Sequence, residues 1–200
     1  MSTITKEIQD SISSTRAVEM LKEGNQRFLN KNEQDRDLHV QVSQTSGGQF
    51  PYAVVLSCID SRVPVELVLD QGIGDIFSAR VAGNIINEDI LGSMEYACGV
   101  AGSKAILVLG HTKCGAVTSA CKGVELGNIT ALLSKVKPAI ANVQERNGEV
   151  EVEEVTKANV HQSIKEIREN SSILSDLENE GKIKIVGAIY HVEDGRVSYL

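Results

Sequence analysis

Two short stretches concentrate the side chains able to do chemistry. "SCIDSRVP" carries Cys58, Asp60 and Arg62 at alternate positions, and "GHTKCGA" carries His111 and Cys114 with two residues between them. A cysteine, a histidine and a second cysteine form a soft three-ligand set suited to zinc. Two thiolates balance the ion's two positive charges. Three protein ligands leave the fourth position open, and that separates a catalytic zinc site from a structural one. The His-x-x-Cys spacing lets both side chains reach one ion from a tight turn, and Gly115 behind Cys114 permits a close backbone approach. Asp60 can either close the fourth metal position or accept a hydrogen bond from water there. Arg62 can hold Asp60 in a bidentate pair, which lowers its pKa and draws it off the metal.

Taken singly, each residue has a plainer reading. A lone cysteine is a small buried hydrophobe, a lone histidine a hydrogen-bonded turn residue, and an Asp–Arg pair a surface ion pair worth under about 1 kcal/mol. Those readings do not account for the matched placement of the whole set. A metal-free redox pair would call for C-x-x-C, which the chain lacks. Cys98 and Cys121 read as packed thiols, and Cys121 lies two helical turns past Cys114, too far to share its ion. His39, His161 and His191 read as ordinary surface or structural histidines, and no dedicated proton shuttle stands out. The turns "GIGD" and "AGN" do not make a G-x-G-x-x-G dinucleotide fingerprint.

Both motifs follow apolar runs of the kind that form buried parallel strands, "PYAVVLS" and "KAILVLGH". At the carboxyl ends of neighbouring strands they would converge, where ligand crevices form in α/β sheets. "DIFSARV" and "KIKIVGAIYHV" are further strand candidates, and "EDGRVSYL" supplies an Asp-Gly turn with a hairpin return. Helices are expected over "TRAVEMLKEGNQRFLN", from Pro64 over "PVELVLD", over "NEDILGSMEYACGVA" with Asn87 as cap, over "CGAVTSACKG", and through most of residues 127–180 with a break near Asn147. Residues 31–49 are polar and read as an exposed connection, and the acidic run "EVEVEEVTK" as a solvated helix face. The expected fold is α/β: a mainly parallel central sheet with an antiparallel edge strand, flanked by helices, with an N-terminal helical extension.

The chain has 200 residues, 42% of them hydrophobic and 24% charged, which suits a single globular domain over residues 1–200. Its net charge of −7 argues against a nucleic-acid or anionic-membrane binder. No apolar run approaches the roughly 20 residues of a membrane span. The start "MSTITKEIQDSISSTR" lacks the apolar region of a secretory signal, so the cytoplasm is the expected compartment, where the four cysteines stay unpaired.

"SCIDSRVPVE" followed by "GHTKCGAV" resembles the β-class carbonic anhydrases. "GDIFSARVAGN", "GSMEYACGVAGSKAILVLGH" and "IVGAIYHVEDGRVSYL" extend the likeness over residues 15–200. The resemblance implies one Zn2+ per chain on Cys58, His111 and Cys114, with Asp60 and Arg62 as the catalytic dyad. It implies substrate contacts from Gln49, Phe77, Tyr96 and Gly115. Gln49 would hydrogen-bond a carbonate oxygen, while Phe77 and Tyr96 wall the space for uncharged CO2; from periodicity alone those two aromatics read as core packing. The chain has no Trp, which the aspartate-closed site type of this family uses, so the always-open type is expected. The implied activity is reversible hydration of carbon dioxide to bicarbonate and a proton by zinc-activated water, that of a carbonate dehydratase, a zinc lyase. Rival readings are hydrolysis of carbon disulfide or carbonyl sulfide on the same site, and a non-catalytic zinc or redox-sensing protein. The resemblance also implies homodimers or homotetramers, with residues 1–35 as a helical arm on a neighbouring subunit.

Overall fold

The computed structural model describes residues 3–200, so the first two residues of the expected arm lie outside it. The chain runs through α1 (Lys6–Ser11), α2 (Ser14–Leu29), α3 (Leu38–Thr45), β1 (Ala53–Ser57), α4 (Val65–Val68), β2 (Ile76–Arg80), α5 (Glu88–Glu95) and β3 (Ala105–His111). It continues through α6 (Gly115–Cys121), α7 (Gly127–Ser134), α8 (Lys137–Asn147), α9 (Val152–Asn170), α10 (Ser172–Asn179), β4 (Lys184–Tyr190) and β5 (Val197–Tyr199). The sheet order is β2-β1-β3-β4-β5. The first four strands are parallel, and β5 returns antiparallel on β4. The expected fold class is the observed one.

The pleat of the central strands sorts their side chains into two layers, because successive residues point to opposite faces. Ala53 and Val55 of β1 join Leu107 and Leu109 of β3 beneath Ala17, Val18 and Leu21 of α2. Val54 and Leu56 join Ile106 and Val108 on the other face, against Met94 of α5, Ile164 and Ile167 of α9 and Leu174 of α10. Every residue of β1 and β3 is buried. That is why both read as continuous apolar runs rather than alternating ones. β2 sits at the sheet edge and is only partly covered.

The helix α2 spends its apolar face inside its own chain. Gly24 makes this approach fit: a Cβ there would stand 1.8 Å from the Leu69 carbonyl oxygen. Asn25 is buried, donates to the carbonyls of Val68 and Gly195 at 2.9 Å each, and accepts from the Val197 N–H at 2.9 Å. The arm expected from the sequence thus packs its apolar side on this chain's own sheet through Ala17, Val18 and Leu21. Asp70 adds a second tie, pairing with both Arg27 and Arg36. Burial works against its charge, but the two guanidinium groups and the Gln34 N–H outweigh it and hold the carboxyl below its usual range.

Residues 31–49 are not wholly irregular. They contain α3, whose first turn is capped by Asp37 accepting from the Val40 N–H at 3.0 Å. Gln41 anchors it, buried and accepting from the Ile73 N–H at 3.0 Å. The polar sequence hid a helix that is held by hydrogen bonds rather than by an apolar stripe. The helix expected after Asn87 starts on that cap, then relaxes into a π turn over Tyr96–Val100. At the end of the chain the Asp-Gly turn is as expected, with Gly195 at φ 81°.

Candidate metal centre

Cys58 is the first residue past β1, His111 the last of β3, and Cys114 caps α6. Since β1 and β3 are adjacent and parallel, both motifs leave the sheet at the same end. Lys113 takes a left-handed conformation, φ 55°, and turns the chain so that Cys114 comes back beside His111. The ligand atoms of Cys58, His111 and Cys114 all lie within 4.8 Å of one another. All three side chains are buried, and Cys58 and Cys114 pack in one cluster with Ile85, Val117, Val136 and Val155.

His111 Nδ1 stands 2.8 Å from the Thr112 carbonyl oxygen. A carbonyl can only accept, so Nδ1 carries the proton and Nε2 presents its lone pair. That Nε2 is fully buried and has no hydrogen-bond partner. Leaving such an atom unsatisfied costs about 1–3 kcal/mol, and around it stand the Cys58 and Cys114 sulfurs and the Asp60 carboxylate. A nitrogen lone pair and two thiols around one point fit a soft divalent cation. The neighbouring Cys114 sulfur holds the Cys58 thiol well below its ordinary value against the effect of burial, while the same neighbour and burial push Cys114 up.

Asp60 lies beside this centre, with Oδ2 at 3.8 Å from His111 Nε2. Both its oxygens are taken by Arg62: Oδ1 accepts from the Arg62 backbone N–H at 3.0 Å and from Nε at 2.9 Å, and Oδ2 from Nη2 at 2.8 Å. These bonds hold the carboxyl well below the usual carboxylate range. Arg62 Nη2 also reaches the Lys113 carbonyl at 3.3 Å, joining the two motifs. Its side chain is half exposed, so the centre opens to solvent on this side.

Of the remaining sequence-predicted residues, Phe77 and Tyr96 meet edge to face, with ring centroids 6.2 Å apart and planes at 71°. They line an open cleft with Val54, Ala79, Arg80 and Ile90. Phe77 also packs on the core and sits opposite Val54 in register, well short of Cys58 along the strands. Gln49 is not brought to the centre. It is exposed before the amino end of β1, whereas Cys58 follows the carboxyl end, and the five residues of β1 alone span roughly 16 Å. Gly115 stands in open space, since no protein atom would come within 4 Å of a Cβ built there. Crowding within this chain is therefore not what the glycine relieves. Cys98 is a packed thiol pushed up to about 12 by burial, and burial raises Cys121 as well.

Sequence reasoning missed the groups that hold Cys58 from behind. The Gly83 N–H donates to Cys58 Sγ at 3.3 Å. Gly83 adopts φ 71°, and its carbonyl accepts from the buried Asn159 of α9 at 2.8 Å. Ser163, one turn on, donates to the Asn84 carbonyl at 3.0 Å. The signal was present as two polar residues four apart on the buried face of a helix, above the glycine turn "AGN". Asn159→Leu is expected to leave the Gly83 carbonyl buried without a donor. The cost should be about 1–3 kcal/mol, read as a lower urea midpoint at unchanged slope. An unchanged midpoint would show that Asn159 is not this turn's support.

Together these features describe an α/β protein with a candidate three-ligand metal centre at the carboxyl ends of two parallel strands. The carbonic anhydrase family profile matches residues 53–197. Carbonic anhydrase 2 of Mycobacterium tuberculosis is 37% identical over 182 residues, which is 88% of this chain and 87% of that protein. Among solved structures, the β-carbonic anhydrase CcaA aligns with a TM-score of 0.73 at 25% identity, over 93% of this chain and 90% of its own. A tetrameric β-carbonic anhydrase of Sordaria macrospora aligns with a TM-score of 0.72 at 24% identity, over 81% and 90%. The chain belongs to the carbonic anhydrase family, in its β class.

Proposed function

We propose that this enzyme interconverts carbon dioxide with bicarbonate and a proton, at one zinc ion held by Cys58, His111 and Cys114. The observation that carries the open-site reading is the engagement of both Asp60 oxygens by Arg62. A carboxylate so held is not free to serve as a fourth ligand. Zinc bound there supplies Lewis acidity that makes water at the open position nucleophilic near neutral pH.

The chain's own residues do the rest. Asp60 Oδ2, 3.8 Å from His111 Nε2, would accept a hydrogen bond from water entering the centre and so orient it. Arg62 keeps Asp60 ionised, so it acts as an acceptor and not a donor. The apolar packing around the ligands excludes bulk water from the sulfur side of the centre. Phe77 and Tyr96, short of this chain's own centre along the strands, supply apolar wall to the site of a second subunit, where a substrate without charge gains nothing from polar contacts. Gln49 serves this pocket from a second subunit, because its own site lies beyond the length of β1. Exposed Ile59 and Leu67, close in sequence to the dyad, support burial of this face in a homodimer or larger assembly.

Stopped-flow CO2 hydration together with metal analysis tests the reading. About one zinc per chain and strong hydration activity are expected. A fully active metal-free protein, or a zinc-loaded protein that turns over carbon disulfide or carbonyl sulfide but not CO2, would overturn it.

A further inference from the structure

Arg80 is the last residue of β2 and the register partner of Ser57, the last residue of β1. Beyond this point β1 runs out of strand partners. The Arg80 side chain takes over: Nε and Nη2 donate to the Cys58 carbonyl at 3.0 and 2.8 Å, and Nη2 also donates to the Asp60 carbonyl at 2.8 Å. One planar guanidinium thus binds two carbonyls on either side of Ile59. The Asp60 carbonyl accepts a further bond from the Val63 N–H at 3.0 Å. Asp60 is consequently fixed at both ends, by Arg62 at its carboxylate and by Arg80 at its main chain.

We propose that Arg80 is a positioning residue for the reaction: by tying the Cys58 and Asp60 carbonyls together it sets where the Asp60 carboxylate stands relative to the metal ligands. This rests on the carbonic anhydrase reading above. Arg80 contributes no ligand atom and does not touch the Asp60 carboxylate. Its effect passes through the backbone of three residues. A lysine at this position carries the charge but presents a single point of donation, so it cannot reproduce the fork. Because Arg80 is largely exposed, its replacement leaves the core intact.

The test compares Arg80→Ala and Arg80→Lys, each alone and combined with Asp60→Asn. Both single variants should keep their zinc and lose about 10- to 100-fold in kcat with little change in KM, the scale expected when a reacting group is misplaced by about 1 Å. In the Asp60→Asn background, Arg80→Ala should change activity by no more than about twofold, because the two act through one group. In metal-free protein, amide exchange at Arg62 and Val63, whose N–H groups donate to Asp60, should speed by about tenfold in Arg80→Ala. Three results would overturn the proposal: undiminished kcat, a full independent loss in the Asp60→Asn background, or activity lost only in proportion to zinc. Unchanged exchange would overturn it as well. Absence of CO2 hydration in the unmodified enzyme would instead sink the functional reading, and the exchange measurement would still decide whether Arg80 holds Asp60.

Discussion

Cys58→Ser is expected to empty the centre of zinc and reduce CO2 hydration to the uncatalysed rate. Serine matches the size of cysteine and fits the buried position past β1, so the fold should survive. Its hydroxyl stays protonated near neutral pH and is a poor ligand for a borderline-soft cation. Serine, histidine and a single cysteine offer one thiolate where the native set offers two, so the ion is held more weakly. Metal analysis after dialysis should give well under about one zinc per chain, and stopped-flow traces should follow the buffer blank. A variant that retains both zinc and turnover would remove Cys58 from the ligand set.

Asp60→Asn should give the opposite partition: zinc kept, chemistry lost. The asparagine side chain preserves shape but carries an NH2 where one carboxylate oxygen stood. If that NH2 faces Arg62, two donors oppose each other. If it faces the metal side, the acceptor aimed at the reacting water is gone. Either arrangement breaks the bidentate pair that fixes the side chain. The expected fall in kcat is about 10²–10⁴, the range for removal of a positioned proton acceptor. Near-normal turnover with full zinc would take Asp60 out of the mechanism. The two variants together separate holding the metal from using it.

The centre was legible in the sequence because its parts are local. Cys58, Asp60 and Arg62 lie within five residues, and His111 and Cys114 within four. Each motif follows a strand whose buried run is unmistakable, so their convergence needed only the parallel pairing of β1 with β3. The supports were not legible. Gly83 reaches Cys58 and Asn159 reaches Gly83 only once the sheet and α9 have closed on each other. Arg80 reads as the polar end of an edge strand until its register with Ser57 is known. α3 escaped notice because buried Gln41 and capping Asp37 hold it, and neither raises an apolar pattern. Gln49 is a different case. It lies before the amino end of β1, so its expected role rests on the proposal that a second chain completes the pocket.

The position of β2 has a consequence outside catalysis. It lies at the edge of a parallel sheet, carries Ile76 and Phe77, and is only partly covered. Its outer row of N–H and C=O groups, bordered by apolar side chains, is a template on which a stray strand can grow. Natural edges of this kind are blunted by charge, by bulges or by a permanent neighbour. On β2 the charge is confined to Arg80 at the far end, and that side chain is engaged by the Cys58 and Asp60 carbonyls. An isolated subunit would therefore be prone to aggregate, and capping this edge protects solubility whether or not the cap also completes a pocket.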